Sequence, residues 1–174
     1  AVLIAPAPAR EPPSPQAIWT RIYSVLSHPR CTNCHVDTDN RPRWNGPSYA
    51  TTQSPLTVNG ERLHGMYVDA GASRRGDESV PCESCHGPVN TPVPHGPPGA
   101  RNWALSPVSM GWSGKTEAET CRQIKDRRQN GDRNLDEIAA HLDHDPLVHW
   151  AWQPGPGREP APYSRRALVE FVQY

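Results

Sequence analysis

The strongest constraint on the fold is a five-residue pattern that occurs twice in the chain. Residues 31–35 are Cys-Thr-Asn-Cys-His and residues 82–86 are Cys-Glu-Ser-Cys-His, so both segments have the form Cys-x-x-Cys-His. This pattern is typical of covalent c-type haem attachment. The two thiols reach the two vinyl groups of one porphyrin, and the histidine lies under the iron as its proximal ligand. The predicted haem-binding residues are Cys31, Cys34, His35, Cys82, Cys85 and His86.

The cysteine pairs allow two other interpretations. Four cysteines in two Cys-x-x-Cys pairs can bind one zinc ion, and short disulfides are also conceivable. Neither alternative requires a histidine directly after each pair, and the stretch between Cys34 and Cys82 is longer than in a zinc ribbon. The fifth cysteine, Cys121, has no second cysteine three positions away and no histidine after it. We therefore expect two haem c groups, with Cys121 outside the attachment sites.

Composition supports a bound group that contributes to the core. Hydrophobic residues make up 35% of the 174 residues, with 21 prolines, 13 glycines and a single phenylalanine. The mean hydropathy is −0.74. Such a chain has too few apolar side chains for an ordinary core, and two porphyrins would supply the missing apolar surface. Basic and acidic residues balance at 18 each, which argues against a nucleic-acid or polybasic membrane binder.

The sequence predicts an all-α fold with a high loop content, in which short helices and Pro-rich loops surround both motifs. Residues 1–13 are expected to form an extended arm or the end of a signal peptide, and residues 14–174 a single dihaem cytochrome c domain. Ser14-Pro15 is a helix start, and it precedes one apolar stripe made of Ile18, Ile22, Val25 and Leu26. No alternating strand pattern longer than four residues occurs.

Three more helices and two long loops complete this prediction. Thr116 begins a capping box whose helix is expected to run to about Gln129, and Asn134 and Ser164 cap two further helices. The helix after Asn134 carries the apolar residues Leu135, Ile138, Ala139 and Leu142. The loops are residues 37–62 and 87–114, and loops of this length usually surround something. Their tryptophans, expected beside porphyrin, are Trp44, Trp103 and Trp112.

The distal iron ligands must come from the remaining histidines and methionines. These are His28, His64, His95, His141, His144, His149, Met66 and Met110. Chain order and loop reach favour His64 on the iron of His35 and Met110 on the iron of His86, with His141 as the competitor of Met110. Because 16 of the 18 basic residues are arginines, some of them are expected to pair with haem propionates. The candidates are Arg41, Arg43, Arg74, Arg75, Arg101 and Arg158.

Residues from about 28 to 172 resemble a family of small exported dihaem c-type cytochromes. The shared segments are the two motifs, His64-Gly65, Trp103-Ala-Leu-Ser-Pro107, Met110, Cys121 to Asp126, Asn130-Gly131, His141, and Asp145 to Arg158. Members of this family are often labelled as cytochrome subunits associated with isoquinoline 1-oxidoreductase, a molybdenum hydroxylase. The resemblance implies electron acceptance from such an oxidoreductase. His64, Met110 and His141 match family positions, whereas Met66 does not.

The predicted function is electron transfer without catalysis. Two covalent haems in a chain of this size must lie close together, which allows electron exchange between them and with a redox partner protein. Covalent haem attachment takes place outside the bacterial cytoplasm, so a periplasmic or otherwise exported protein without a transmembrane segment is expected. The alternatives are a dihaem peroxidase-like enzyme and a structural haem subunit of a larger redox complex or filament.

Overall fold

The protein is helical, with six α-helices and a two-stranded hairpin in the part of the chain that the structure describes. This computed structural model describes residues 12–46 and 68–174, together with the strands Thr57–Val58 and Glu61–Arg62. The helices are α1 (Pro15–Leu26), α2 (Pro29–Thr32), α3 (Glu117–Lys125), α4 (Leu135–His144), α5 (Pro146–His149) and α6 (Arg165–Gln173). None of these helices combines the length and the apolar character needed to cross a membrane.

Helix α1 has the boundaries and the buried face that its sequence predicts. The Ser14 side chain accepts a hydrogen bond from the backbone N–H of Ala17, and Pro15 occupies the first turn. Proline is well tolerated there because its missing N–H would have no partner in the helix. The buried residues of α1 are Ile18, Ile22, Val25 and Leu26, as predicted. This face packs against α6 and α3.

Helix α3 is shorter than its sequence suggested. It begins after the predicted Thr116 capping box, but it ends at Lys125 rather than near Gln129. The buried side chain of Asn130 donates a hydrogen bond to the Ile124 carbonyl at 2.7 Å and another to the Arg133 carbonyl. Because this amide takes over a carbonyl near the helix end, the chain turns away after Asp126.

Helices α4 and α6 pack closely on each other and both start at their predicted caps. Asn134 forms a capping box with Glu137, and the Ser164 side chain accepts from the Ala167 N–H. Ala139 of α4 and Leu168 of α6 are each only 1% exposed. Leu135, the first apolar residue of this helix, lies in the first turn of α4 and is 51% exposed.

The hairpin was not expected from the strand patterns. Thr57–Val58 pairs with Glu61–Arg62 in antiparallel register. The two residues between the strands in the sequence are Asn59-Gly60, the dipeptide most typical of two-residue hairpin loops. Strands of two residues are too short to produce the alternation on which strand prediction depends.

The apolar core is divided into three clusters, and each contains a cysteine of a Cys-x-x-Cys-His motif. The largest joins α1 to Trp112, Ala151, Ala161 and Leu168, with Cys31 packed against it. Val36, Ala70 and Leu105 form a second cluster beside Cys34. A third, consisting of Ala100, Trp103 and Trp150, contacts Cys82. The apolar side chains are thus gathered around the two motifs.

Arg74 connects the segment that follows the first motif to the loop before Met110. Its guanidinium donates to the backbone carbonyls of Val36, Asp37 and Ser106, and to the side-chain oxygen of Asn40. The residue is 7% exposed. The expectation that Arg74 pairs with a propionate is not supported, because four of its five N–H groups already have acceptors.

We expect Arg74→Lys to lower the free energy of unfolding by about 3 kcal/mol, because an ammonium group cannot reach acceptors spread around a planar guanidinium. Arg75→Lys is the matched control. The Arg75 side chain is 52% exposed and lies 3.5 Å from Glu83, so its change should stay below about 0.5 kcal/mol. Urea unfolding followed by circular dichroism measures both values. Equal stability of the two variants would contradict the role assigned to Arg74.

Candidate haem sites

The two motifs adopt the same backbone turn although their flanking sequences differ. In the first, which begins within α2, the N–H groups of Cys34 and His35 bond to the Cys31 carbonyl at 3.2 and 3.0 Å. In the second, within a 3₁₀ helix from Cys82 to Ser84, Cys85 and His86 bond to the Cys82 carbonyl at the same two distances. This turn brings both thiols and the imidazole of each motif to one side of the chain.

Each motif histidine bonds through Nδ1 to a backbone carbonyl of a later loop. His35 Nδ1 lies 2.8 Å from the Met110 oxygen, and His86 Nδ1 lies 2.7 Å from the Pro98 oxygen. A carbonyl oxygen only accepts hydrogen bonds, so Nδ1 carries the proton in both rings. The lone pair is therefore on Nε2, the nitrogen that a metal would use.

A tryptophan stacks on each of these imidazoles. The Trp112 ring lies 3.5 Å from the His35 ring at an angle of 15°, and the Trp103 ring lies 4.4 Å from the His86 ring at 5°. The Trp112 Nε1–H donates to the Leu26 carbonyl at the end of α1. With one bond at Nδ1 and one stacked face, each imidazole is held in a single orientation. The expectation that Trp103 and Trp112 lie beside porphyrin stays a prediction, and both rings lie against a motif histidine.

Burial keeps both histidines and the first pair of thiols uncharged. It lowers the pKa of His35 to about 4 and also lowers the pKa of His86. Burial raises the pKa of Cys31 to about 12 and that of Cys34 to about 11. A neutral imidazole is the form that binds iron, and a buried neutral thiol is compatible with a thioether in the same place.

Both motifs contribute to one cavity. Its volume is about 70 Å³, and Cys34 from the first motif and Cys82, Cys85 and His86 from the second line it. This volume is smaller than the roughly 300–1,000 Å³ of typical ligand sites. The rest of the wall is largely apolar and aromatic, and it includes Val68, Trp44, Trp103, Leu105 and Trp150. Trp44, the third loop tryptophan of the sequence prediction, therefore lies on the wall of this cavity.

These features fit haem c better than the two alternatives. All five cysteines are free, so the short disulfides are not formed. Among the described residues, no three His, Cys, Asp or Glu side chains converge as a metal cluster, so the four motif cysteines do not form a Cys₄ zinc site. By contrast, each motif offers two thiols and one oriented Nε2, which is the donor set that haem c requires.

The structure separates the candidate distal ligands. His64 and Met66 lie outside the described residues, so the assignment of His64 stays a prediction. Met110 lies beside His35, where its carbonyl accepts the Nδ1 bond and its side chain packs against the α1 cluster. It does not line the cavity that holds His86. Its assignment to the His86 iron also stays a prediction, and this placement does not favour it.

His141 belongs to α4. Burial is the main cause of the lowered pKa of His35, and a charge on His141 lowers it further. The adjacent residue, Leu142, packs against the cluster that contains Trp112 and Cys31. His141 lies 3.4 Å from an oxygen of Asp145 through its Nδ1 atom, not through Nε2. The other oxygen of Asp145 accepts from the N–H groups at the start of α5.

Three other candidate histidines have ring nitrogens that contact groups of the protein. The Nδ1 atom of His28 accepts from the Arg30 N–H at the start of α2. His149 bonds through Nε2 to the Asp143 carbonyl at 2.5 Å. The side chain of His144 is exposed, and its Nδ1 atom lies 3.7 Å from a carboxylate oxygen of Asp143.

Two amide side chains that the sequence analysis did not single out hold the loops that bind the motif histidines. Gln123 of α3 donates to the carbonyls of Ser109 and Gly111, on either side of Met110. Asn90 accepts from the Gly99 N–H, next to Pro98. Neither residue belongs to a recognisable motif, because the atoms that it bonds are backbone atoms and leave no pattern of residue types.

Comparison with known proteins does not assign the chain to a family. No protein family model matches it, and we found no similar curated protein and no similar solved structure.

The Pro98–Gly99 segment has no room for a larger residue, which provides a test of the site. A Cβ atom on Gly99 would overlap the Val89 carbonyl, so we expect Gly99→Ala to displace the loop and to cost about 2 kcal/mol of unfolding free energy. Gly87→Ala is the control, because its Cβ would lie 3.9 Å from the nearest atom, the Val89 oxygen. Thermal unfolding of both variants measures the difference. A Gly99→Ala protein as stable as Gly87→Ala would show that the loop is not closely packed.

Proposed function

We propose that the protein is an electron-transfer protein that carries two covalently bound haem c groups. The observation that carries this proposal is the matched environment of His35 and His86. Each donates its Nδ1 proton to a backbone carbonyl and directs Nε2 away from it, and each follows a turn that presents two thiols. Nδ1 hydrogen bonds of this kind fix the tautomer and the orientation of metal-binding histidines.

A haem held in this way would accept and release one electron at its iron. The chain places the two sites close together, because Cys34 and Cys82 line the same cavity. Burial raises the pKa of Cys34, and the nearby Cys82 raises it further. The wall of this cavity is mostly apolar. Arg43 lies on the same wall, 2.7 Å from Asp39, and is a candidate partner for a propionate.

The second site is the more exposed of the two and is therefore the proposed point of electron exchange with a partner protein. Cys85 is exposed, and Val80 and Val89 nearby are 43% and 71% exposed. The first site, in contrast, is enclosed by the α1 cluster. Because haem c is attached outside the bacterial cytoplasm, we place this exchange in the periplasm or an equivalent space.

We further propose His141 for the distal side of the His35 iron, in place of the His64 that the sequence predicts there and rather than for the His86 iron. Leu142 beside it packs against the same apolar cluster as Cys31. His141 Nδ1 lies 3.4 Å from one Asp145 oxygen, and the other oxygen accepts from N–H groups at the start of α5. Burial lowers the pKa of His141, so the imidazole is neutral and able to bind iron. Both axial ligands of this iron would then be histidines.

The haem count follows directly from the proposal. The intact protein, purified from a host that matures c-type cytochromes, should show the mass of two haems that remain after acid–acetone extraction. The double variant Cys82→Ala/Cys85→Ala should retain one. Cys121→Ala is the control and should retain both, because Cys121 lies outside the motifs. Unmodified protein, or loss of a haem in Cys121→Ala, would contradict the proposal.

The axial assignment has its own test. His141→Ala should convert one of the two oxidised haems from low spin to high spin, and added imidazole should restore the low-spin state. His144→Ala on the same helix is the matched control, since its side chain is 77% exposed and should leave both spectra unchanged. Electron paramagnetic resonance distinguishes the spin states. Two low-spin haems in His141→Ala would refute the assignment, and a thioether charge-transfer band lost in Met110→Ala would assign Met110 instead.

A further inference from the structure

The acceptor of the His86 hydrogen bond is itself part of a short hydrogen-bonded chain. The Pro98 carbonyl and the Gly99 N–H belong to one peptide group. The carbonyl accepts from His86 Nδ1 at 2.7 Å, and the N–H donates to Asn90 Oδ1 at 3.0 Å. A peptide whose N–H donates a hydrogen bond has a more negative carbonyl oxygen, because the two bonds polarise the same group. Asn90 therefore acts on His86 through this peptide.

Asn90 is held in place by two further bonds. Its Nδ2 donates to the Gln153 carbonyl at 2.7 Å, and its Oδ1 also accepts from Trp150 Nε1 at 3.0 Å. Trp150 contacts the edge of Trp103, the ring that stacks on His86. The amide thus cannot rotate without loss of several contacts, and its oxygen stays directed at Gly99.

At the first site, a different kind of group accepts the N–H of the acceptor peptide. There the acceptor peptide is Met110–Gly111, and its N–H donates to the Val108 carbonyl within a 3₁₀ turn. Gln123 bonds the neighbouring carbonyls of Ser109 and Gly111 but not this N–H. A side chain polarises the acceptor peptide only at His86, among the residues that the structure describes.

We propose that Asn90 is a positioning residue that strengthens the Nδ1 hydrogen bond of His86 and so lowers the reduction potential of the iron bound there. This inference rests on the proposed haem sites. A stronger Nδ1–H···O bond gives the imidazole more anionic character, which raises its basicity toward iron. A more basic axial ligand stabilises the oxidised iron, so the potential falls.

The test is a potentiometric titration of the two haems in paired variants. Asn90→Ala removes the acceptor of the Gly99 N–H, and we expect one of the two midpoint potentials to move to a more positive value. Asn90→Asp keeps an oxygen at this position and makes it a stronger acceptor, so the same midpoint should move in the opposite direction. The His35 midpoint is the internal reference and should remain in place, identified by its spin change in His141→Ala.

Thr91→Val controls for a simple loosening of the loop. The Thr91 hydroxyl donates to the Pro97 carbonyl at 3.1 Å, so this variant removes one bond from the same loop without touching the Pro98–Gly99 peptide. Its midpoints should equal those of the unaltered protein. A shift in Thr91→Val as large as in Asn90→Ala, shifts of the same sign in the Ala and Asp variants, or unchanged midpoints in both would overturn the inference.

The proposed function and this inference fail in different ways. A protein without covalently bound haem, measured by its mass, would refute the proposed function before any titration. Two retained haems with midpoints that do not respond to Asn90 would refute only the role of Asn90. Haem content and circular dichroism of each variant show that the comparison is made between folded proteins.

Discussion

The hydrogen bond between a motif imidazole and a distant backbone carbonyl is the interaction on which the rest of the structure depends. His35 reaches Met110, 75 positions later, and His86 reaches Pro98, 12 positions later. Each bond ties a Cys-x-x-Cys-His turn to a proline-containing loop and at the same time selects the Nδ1–H tautomer. Without these loops the turns would still form, but Nε2 of each ring would have no fixed direction.

The division of the core into three clusters has the same origin. The chain has few apolar residues, and they are placed around Cys31, Cys34 and Cys82 rather than gathered in one centre. The remaining space between two of these clusters is the cavity that both motifs share. Under the proposed function, a porphyrin bound here would add apolar surface that this polar, proline-rich chain has little of.

Polar side chains take over the organisation that a larger apolar core would otherwise provide. The clearest case is Arg74, whose guanidinium binds three backbone oxygens from two separate segments and the side-chain oxygen of Asn40. Gln123, Asn90 and Asn130 do the same on a smaller scale at the two histidine loops and at the end of α3. Because each of these groups is buried or half-buried and bonded, it fixes loop geometry at little cost in desolvation.

Local patterns in the sequence determined the helix starts, the buried face of α1 and the turn of both motifs. Each of these depends on contacts within a few residues, such as the Ser14 cap or the bonds to the Cys31 carbonyl. Only the tertiary structure decided that Met110 lies beside His35 and that Asn90 bonds the peptide next to Pro98. The partners in these contacts are mostly backbone atoms, which every residue type has, so no sequence pattern could have indicated them in advance.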